Sequence, residues 1–138
     1  MTNTSLGRAY LEKAQKRLAI LDVLEQEGAY SDVVREAQEI VELALKGALR
    51  LVGVEPPKLH DVGPSLLDHR DRFPEGVRPH LEDLARISKW LRKEREFAFY
   101  GDVDFIPTLE YTQEDARRAR EDAQRVVSVC RQLLPAGG

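Results

Sequence analysis

Between Val34 and Val52 the chain places apolar side chains with a regularity that leaves few folds open. Val34, Ala37, Val41, Ala44, Ala48 and Leu51 follow at steps of three and four, and Ile40, Leu43, Leu45, Leu49 and Val52 widen the stripe. Such steps trace one face of an α-helix. A helix apolar over most of its circumference has to be surrounded by others. The stretch therefore predicts the central helix of a bundle. Within it, Ala44, Gly47 and Ala48 are small enough to let a neighbour approach closely. Ser31 or Asp32 is expected to cap its start and Gly53 to end it.

The flanking segments supply the neighbours. Ser5 to Glu27 predicts a first helix, with Tyr10, Ala14, Leu18, Leu21 and Leu24 on its apolar face and Gly28 as its stop. After Gly53, EPPKLHDVGP reads as a loop stiffened by Pro56 and Pro57. A short helix is expected around Ser65 to Arg72, then a break at Phe73-Pro74. Pro79 suits the first turn of a further long helix running to about Tyr100. Irregular chain containing Pro107 should follow from Gly101 to Tyr111. Thr112 and Asp115 resemble a capping box, with Asp in place of the usual Glu. They open a last helix that buries Ala116, Ala119, Ala123, Val126, Cys130 and Leu133. No alternating strand pattern and no internal repeat occurs. The expected architecture is all-α, an up-and-down bundle of four long helices and one short one.

Several function classes drop out on composition. With 138 residues, 42% of them hydrophobic, the chain suffices for one core. Its net charge of -3 does not mark a general binder of nucleic acid or anionic membrane, so any basic patch has to be local. No run approaches the length of a membrane span, and MTNTSLGRAYLEKAQ lacks the layout of a secretion signal. The single Cys130 cannot form an internal disulfide, and a cytoplasmic location is expected. His69 and His80 have no ligand partner at helical spacing, so no protein-built metal site is expected. Neither a glycine-rich phosphate loop nor a serine triad suggests a cofactor or a nucleophile. RRARED, residues 117 to 122, reads as a surface face: Glu114 precedes Arg118 by four, as Glu121 precedes Arg125. Trp90 and Phe97, seven apart, suit a core flank or a dimer face.

One residue breaks the pattern. Val77, Leu81, Leu84, Ser88, Leu91, Arg95 and Ala98 also step by three and four, which sets Arg95 where an apolar group belongs. An unpartnered guanidinium inside a bundle costs several kcal/mol, roughly. Either a carboxylate meets it, or the seam opens there into a cleft. Glu39 and Glu42 on the central helix are candidate partners, as are Asp102 and Asp104 beyond the helix end. Arg95 then belongs either to a structural ion pair or to the floor of a functional cleft. In the proline loop, His60-Asp61 either caps the following short helix or orients a phosphate or ribose.

These residues together resemble the HEPN domain family (higher eukaryotes and prokaryotes nucleotide-binding). The stretch EAQEIVELALKGALRLVGVEPPKLHDVGPSLLD is similar to its first signature, an Ala/Leu-rich helix, then a glycine, a proline loop and a histidine before a short helix. REFAFYGD resembles the second signature and YTQEDARRAREDAQRVVSVCRQLL the closing helix. The resemblance implies one HEPN-like domain over residues 1 to 138, with a core from about 8 to 134.

Many members of that family are metal-independent ribonucleases using an Arg, four to six residues, then a His, paired across a homodimer. Arg95-x4-Tyr100 matches the spacing, but a tyrosine stands where the histidine belongs. A phenol titrating near ~10 is a poor general base at neutral pH. The resemblance then implies the non-ribonuclease type: a homodimeric module that binds a nucleotide or protein, paired with a small nucleotidyltransferase as in toxin–antitoxin systems. RNA is not the expected ligand. Arg95, Tyr100, Asp102, His60 and Asp61 would form the cleft, with no catalytic residue among them. In some family pairs the transferase adds AMP to a tyrosine two past the histidine position, but here that position is Asp102. The alternatives are a ribonuclease toxin using Arg95 and Tyr100, and a purely structural helical dimer.

Overall fold

The computed structural model describes residues 2–99 and 106–135. Four long helices, α1 (Thr2–Gln26), α2 (Tyr30–Leu51), α4 (Leu81–Phe99) and α6 (Gln113–Arg131), form the bundle. A short α3 (Gly63–Asp68) and the one-turn α5 (Pro107–Glu110) lie in the connections. The all-α expectation holds, and no strand occurs among the described residues.

The central position of α2 follows from its sequence. Val33, Val34, Ala37, Ile40, Val41, Ala44, Leu45, Ala48 and Leu49 are all essentially excluded from solvent, and α1, α4 and α6 pack around them. Each fully buried Val, Leu or Ile contributes about 1.5–3 kcal/mol of burial free energy, so this helix anchors the fold.

The C-terminal ends of α2 and α1 are built alike. At Gly53, φ is +81°, Val54 N–H donates to Leu49 O (2.9 Å) and Gly53 N–H to Arg50 O (3.1 Å). At Gly28, φ is +73°, Ala29 N–H donates to Leu24 O (2.9 Å) and Gly28 N–H to Glu25 O (3.0 Å). These are Schellman closures, and a left-handed residue without a Cβ makes them inexpensive. The closure at Gly28 corrects an expectation. Ala29 passes straight from the end of α1 into α2, its carbonyl accepting Val33 N–H (3.1 Å), so neither Ser31 nor Asp32 acts as the cap.

So short a turn makes α1 and α2 antiparallel neighbours. Near one end they cross glycine on glycine: a Cβ on Gly47 would fall 2.9 Å from Tyr10 Cβ and 3.0 Å from Gly7 O. Small residues in α2 thus admit α1, while Leu11, Ala14 and Leu21 fill the seam beside them. Tyr10, expected on the apolar face of α1, is only half-buried and lies outside that core.

The second half of the chain closes the bundle. Pro79 sits in a 3-10 turn, Arg78–His80, that leads into α4. The stretch expected to be irregular around Pro107 winds into one helical turn, Glu110 N–H donating to Ile106 O (3.0 Å). Proline at the first helical position gives up no bond there. Thr112 and Asp115 form the reciprocal capping box at the start of α6. Ala116, Ala119, Ala123, Val126 and Cys130 are buried, and burial pushes the Cys130 thiol up to about 12.

Tyr111 ties the two halves of this region together. Its hydroxyl donates to Glu94 on α4 (Oε1, 3.1 Å), and burial, then the Glu94 charge, raises the phenol far above its ordinary range. On the surface of α6, charge pairing is dense, with partners other than those the spacing suggested. Arg117 takes both Glu114 and Glu121, Arg125 reaches across to Asp83 on α4 (2.6 Å), and Arg118 lies 3.9 Å above the Trp90 ring.

Candidate functional site

The two polar residues in the α4 seam meet opposite fates. Ser88 is 2% exposed and fully engaged: its hydroxyl donates to Asp61 Oδ1 (2.8 Å) and accepts from Val62 N–H (3.1 Å). The same Asp61 oxygen accepts from Gly63 N–H (3.0 Å), the first amide of α3. Asp61 therefore pins the proline loop onto α4 and starts the short helix, and it takes no part in the cleft that Arg95 lines.

Among the described residues Arg95 is loosely held. Its side chain is 30% exposed, and its Nη2 lies 4.0 Å from Glu39 Oε1, an ion contact too long for a hydrogen bond. The Nε is buried and has no hydrogen-bond partner among the described residues. Glu39 is shared: Arg17 approaches at 3.4 Å and Arg35 at 3.5 Å. Arg17 is held more tightly by Glu36, with contacts of 2.6 and 2.8 Å.

A second polar knot lies one turn further along α2. Glu42 accepts from His60 Nδ1 (2.8 Å), Lys46 Nζ (2.9 Å) and Gln38 Nε2 (3.0 Å). Burial opposes its charge, but these bonds outweigh burial and hold the carboxyl below its ordinary 4.5. A carboxylate orienting an imidazole through Nδ1 leaves Nε2 as the nitrogen available to a ligand.

Glu39, Glu42 and Lys46 of α2 floor one open cleft of about 400 Å³, walled by α1 (Tyr10, Lys13, Arg17) and completed by His60 and Arg95. Of the residues singled out by sequence, Arg95, His60, Glu39 and Glu42 come together here. Asp61 is turned to Ser88, and Tyr100, Asp102 and Asp104 lie outside the described residues. The α1 wall was missed, although Tyr10, Lys13 and Arg17 fall at steps of three and four, as do Glu39, Glu42 and Lys46. Two polar stripes at helical spacing, one on each helix of an antiparallel pair, are the signal of a wet face beside a dry one.

Residues 8–133 match the family model for the HEPN domain. "Putative toxin MJ1304" of Methanocaldococcus jannaschii is 26% identical over 141 residues, covering 96% of this chain and 90% of that protein. The crystal structure of TT1696 from Thermus thermophilus superimposes with a TM-score of 0.76 at 27% identity, over 93% of this chain and 98% of that one. A second crystal structure, of an archaeal HEPN homologue, shares the fold with a TM-score of 0.70 at 22% identity and the same coverage. Among the described residues no helix is long and apolar enough to cross a membrane.

Proposed function

The chain belongs to the HEPN domain family, and on that premise we propose that it is the non-catalytic HEPN component of a toxin–antitoxin-type pair. In this reading it is a cytoplasmic homodimer that holds a nucleotide phosphate or a partner's carboxylate in the Arg95 cleft and works beside a small nucleotidyltransferase. The archaeal relative named as a candidate toxin supports the system type. Arg95 carries the rest: a guanidinium in the α4 seam, which among the described residues has no hydrogen-bonded carboxylate and an unmatched Nε, is a planar fork suited to an incoming anion. Tyr100 at the histidine position of the family motif supports a role without catalysis.

The test is affinity capture of the tagged chain from its native lysate, with calorimetry against AMP. Co-purification of a small nucleotidyltransferase, and AMP binding lost in Arg95→Met with the fold intact, is the expected result. Repeated capture without a transferase removes the partner, and full AMP binding by Arg95→Met removes the cleft.

One observation favours the ribonuclease reading. A Glu42–His60 pair lines the same cleft as Arg95, so a group able to move a proton is present although Tyr100 is ill suited to that task. RNA cleavage abolished by His60→Ala and by Arg95→Met would establish it, and would overturn the non-catalytic reading.

A further inference from the structure

The cleft does not end at His60. A second hollow of about 300 Å³ continues from it toward the proline loop, and the two share Tyr10, Glu42, Lys46 and His60. Their common floor follows α2 from Glu39 to Arg50, about 16 Å at a rise of ~1.5 Å per residue.

Charge in this groove opposes that of the molecule. Lys13, Arg17 and Arg95 line the first hollow, Arg50 and Lys58 the second, and Lys46 both. Among the described residues Glu39, Glu42 and Glu55 line the groove as well and Glu36 pairs with Arg17 from beside it, so a chain of net charge -3 carries a groove with cations in excess. Low-dielectric walls focus such a field on an anion.

The cations of the second hollow differ in how they are held. Arg50 is fixed, its guanidinium 5.7 Å from the centre of the Tyr10 ring and 3.6 Å from Glu55. Lys58 is exposed and makes no ion pair among the described residues. Pro56 and Pro57 stiffen the wall that carries it. Structural ion pairing accounts for Arg17 and Lys46, which have close carboxylates, but not for Lys58.

We propose that the second hollow is a further phosphate subsite, so that the groove takes a linear ligand bearing at least two phosphates. One phosphate lies beside Arg95 and the other between Arg50 and Lys58. This rests on the reading above that the first hollow takes a phosphate. An oligonucleotide and a polyphosphate share the required chemistry. At about 3.4 Å per stacked nucleotide a strand of four would follow the floor.

Calorimetry on the full chain at fixed salt separates the cases, with AMP, a long-chain inorganic polyphosphate and a 5′-phosphorylated tetradeoxynucleotide as ligands. At least one of the two longer ligands should bind tenfold or more tighter than AMP. Lys58→Gln should remove that gain without weakening AMP. A gain shared by the long-chain polyphosphate points to phosphate number, and a gain confined to the tetranucleotide points to phosphate spacing; either supports the subsite. Equal binding of all three ligands, or Lys58→Gln weakening all of them alike, overturns the subsite and leaves the Arg95 site standing. If none binds, both proposals fall.

Discussion

Of the three long seams that α2 makes, those against α6 and α4 differ, and only the first of these two is dry. Against α6 it meets Ala116, Ala119, Ala123, Val126 and Cys130, all buried and all apolar. Against α4 it meets Leu84 and Leu91, but also Ser88 and Arg95. Within that second seam the serine is closed over by Asp61 and Val62, while the arginine opens onto a polar cleft. A polar group in a seam is therefore not a sign of function by itself. Completeness of its bonding is what separates a structural tie from a group kept in reserve.

Substitutions along the α4 seam can sharpen or break that distinction. Leu91→Ala, between the two polar positions and fully buried, should cost the most, about 2–5 kcal/mol by urea unfolding. Ser88→Ala strands the buried Val62 N–H and should cost about 1–3 kcal/mol while leaving AMP affinity unchanged. Arg95→Met should do the reverse: stability within about 0.5 kcal/mol of the parent and AMP binding lost. If Arg95→Met unfolds the chain while Ser88→Ala is silent, the distinction fails.

The smallest effect expected is one of pH. Because the folded pKa of Glu42 is lower than its unfolded value of 4.5, its stabilisation is complete above that value. It is lost as pH falls through the folded value. Urea midpoints taken from about pH 6 to about pH 3 should therefore fall less steeply for Glu42→Gln than for the parent chain. Parallel curves would show that the Gln38–Lys46–His60 knot contributes nothing to folding.

Much of this was readable in the sequence where one residue had to satisfy one local rule. The steps of three and four in α2 demanded burial, Gly28 and Gly53 marked left-handed closures, and Arg95 stood out because it broke a pattern. What escaped were properties of pairs. Ser31 and Asp32 are sound caps by type, but the tight closure at Gly28 had already placed Ala29 at the helix start. Tyr10 scored as apolar, yet its ring stands in the cleft under Arg50. Nothing local tells Arg125 to choose Asp83 across the bundle over Glu121 on its own helix. The cationic character of the groove was hidden for the same reason: it gathers residues from both early helices, the proline loop and α4.

The crossing at Gly7 and Gly47 sets more than the spacing of two helices. Backbone resting on backbone works as a pivot with no play, and Tyr10 sits less than one turn from it, Lys13 less than two. The rim of the groove is thus machined before any ligand arrives, and little ordering entropy is left to be lost on capture. A methyl group added at either glycine would push α1 outward, and its first symptom would be a misaligned rim.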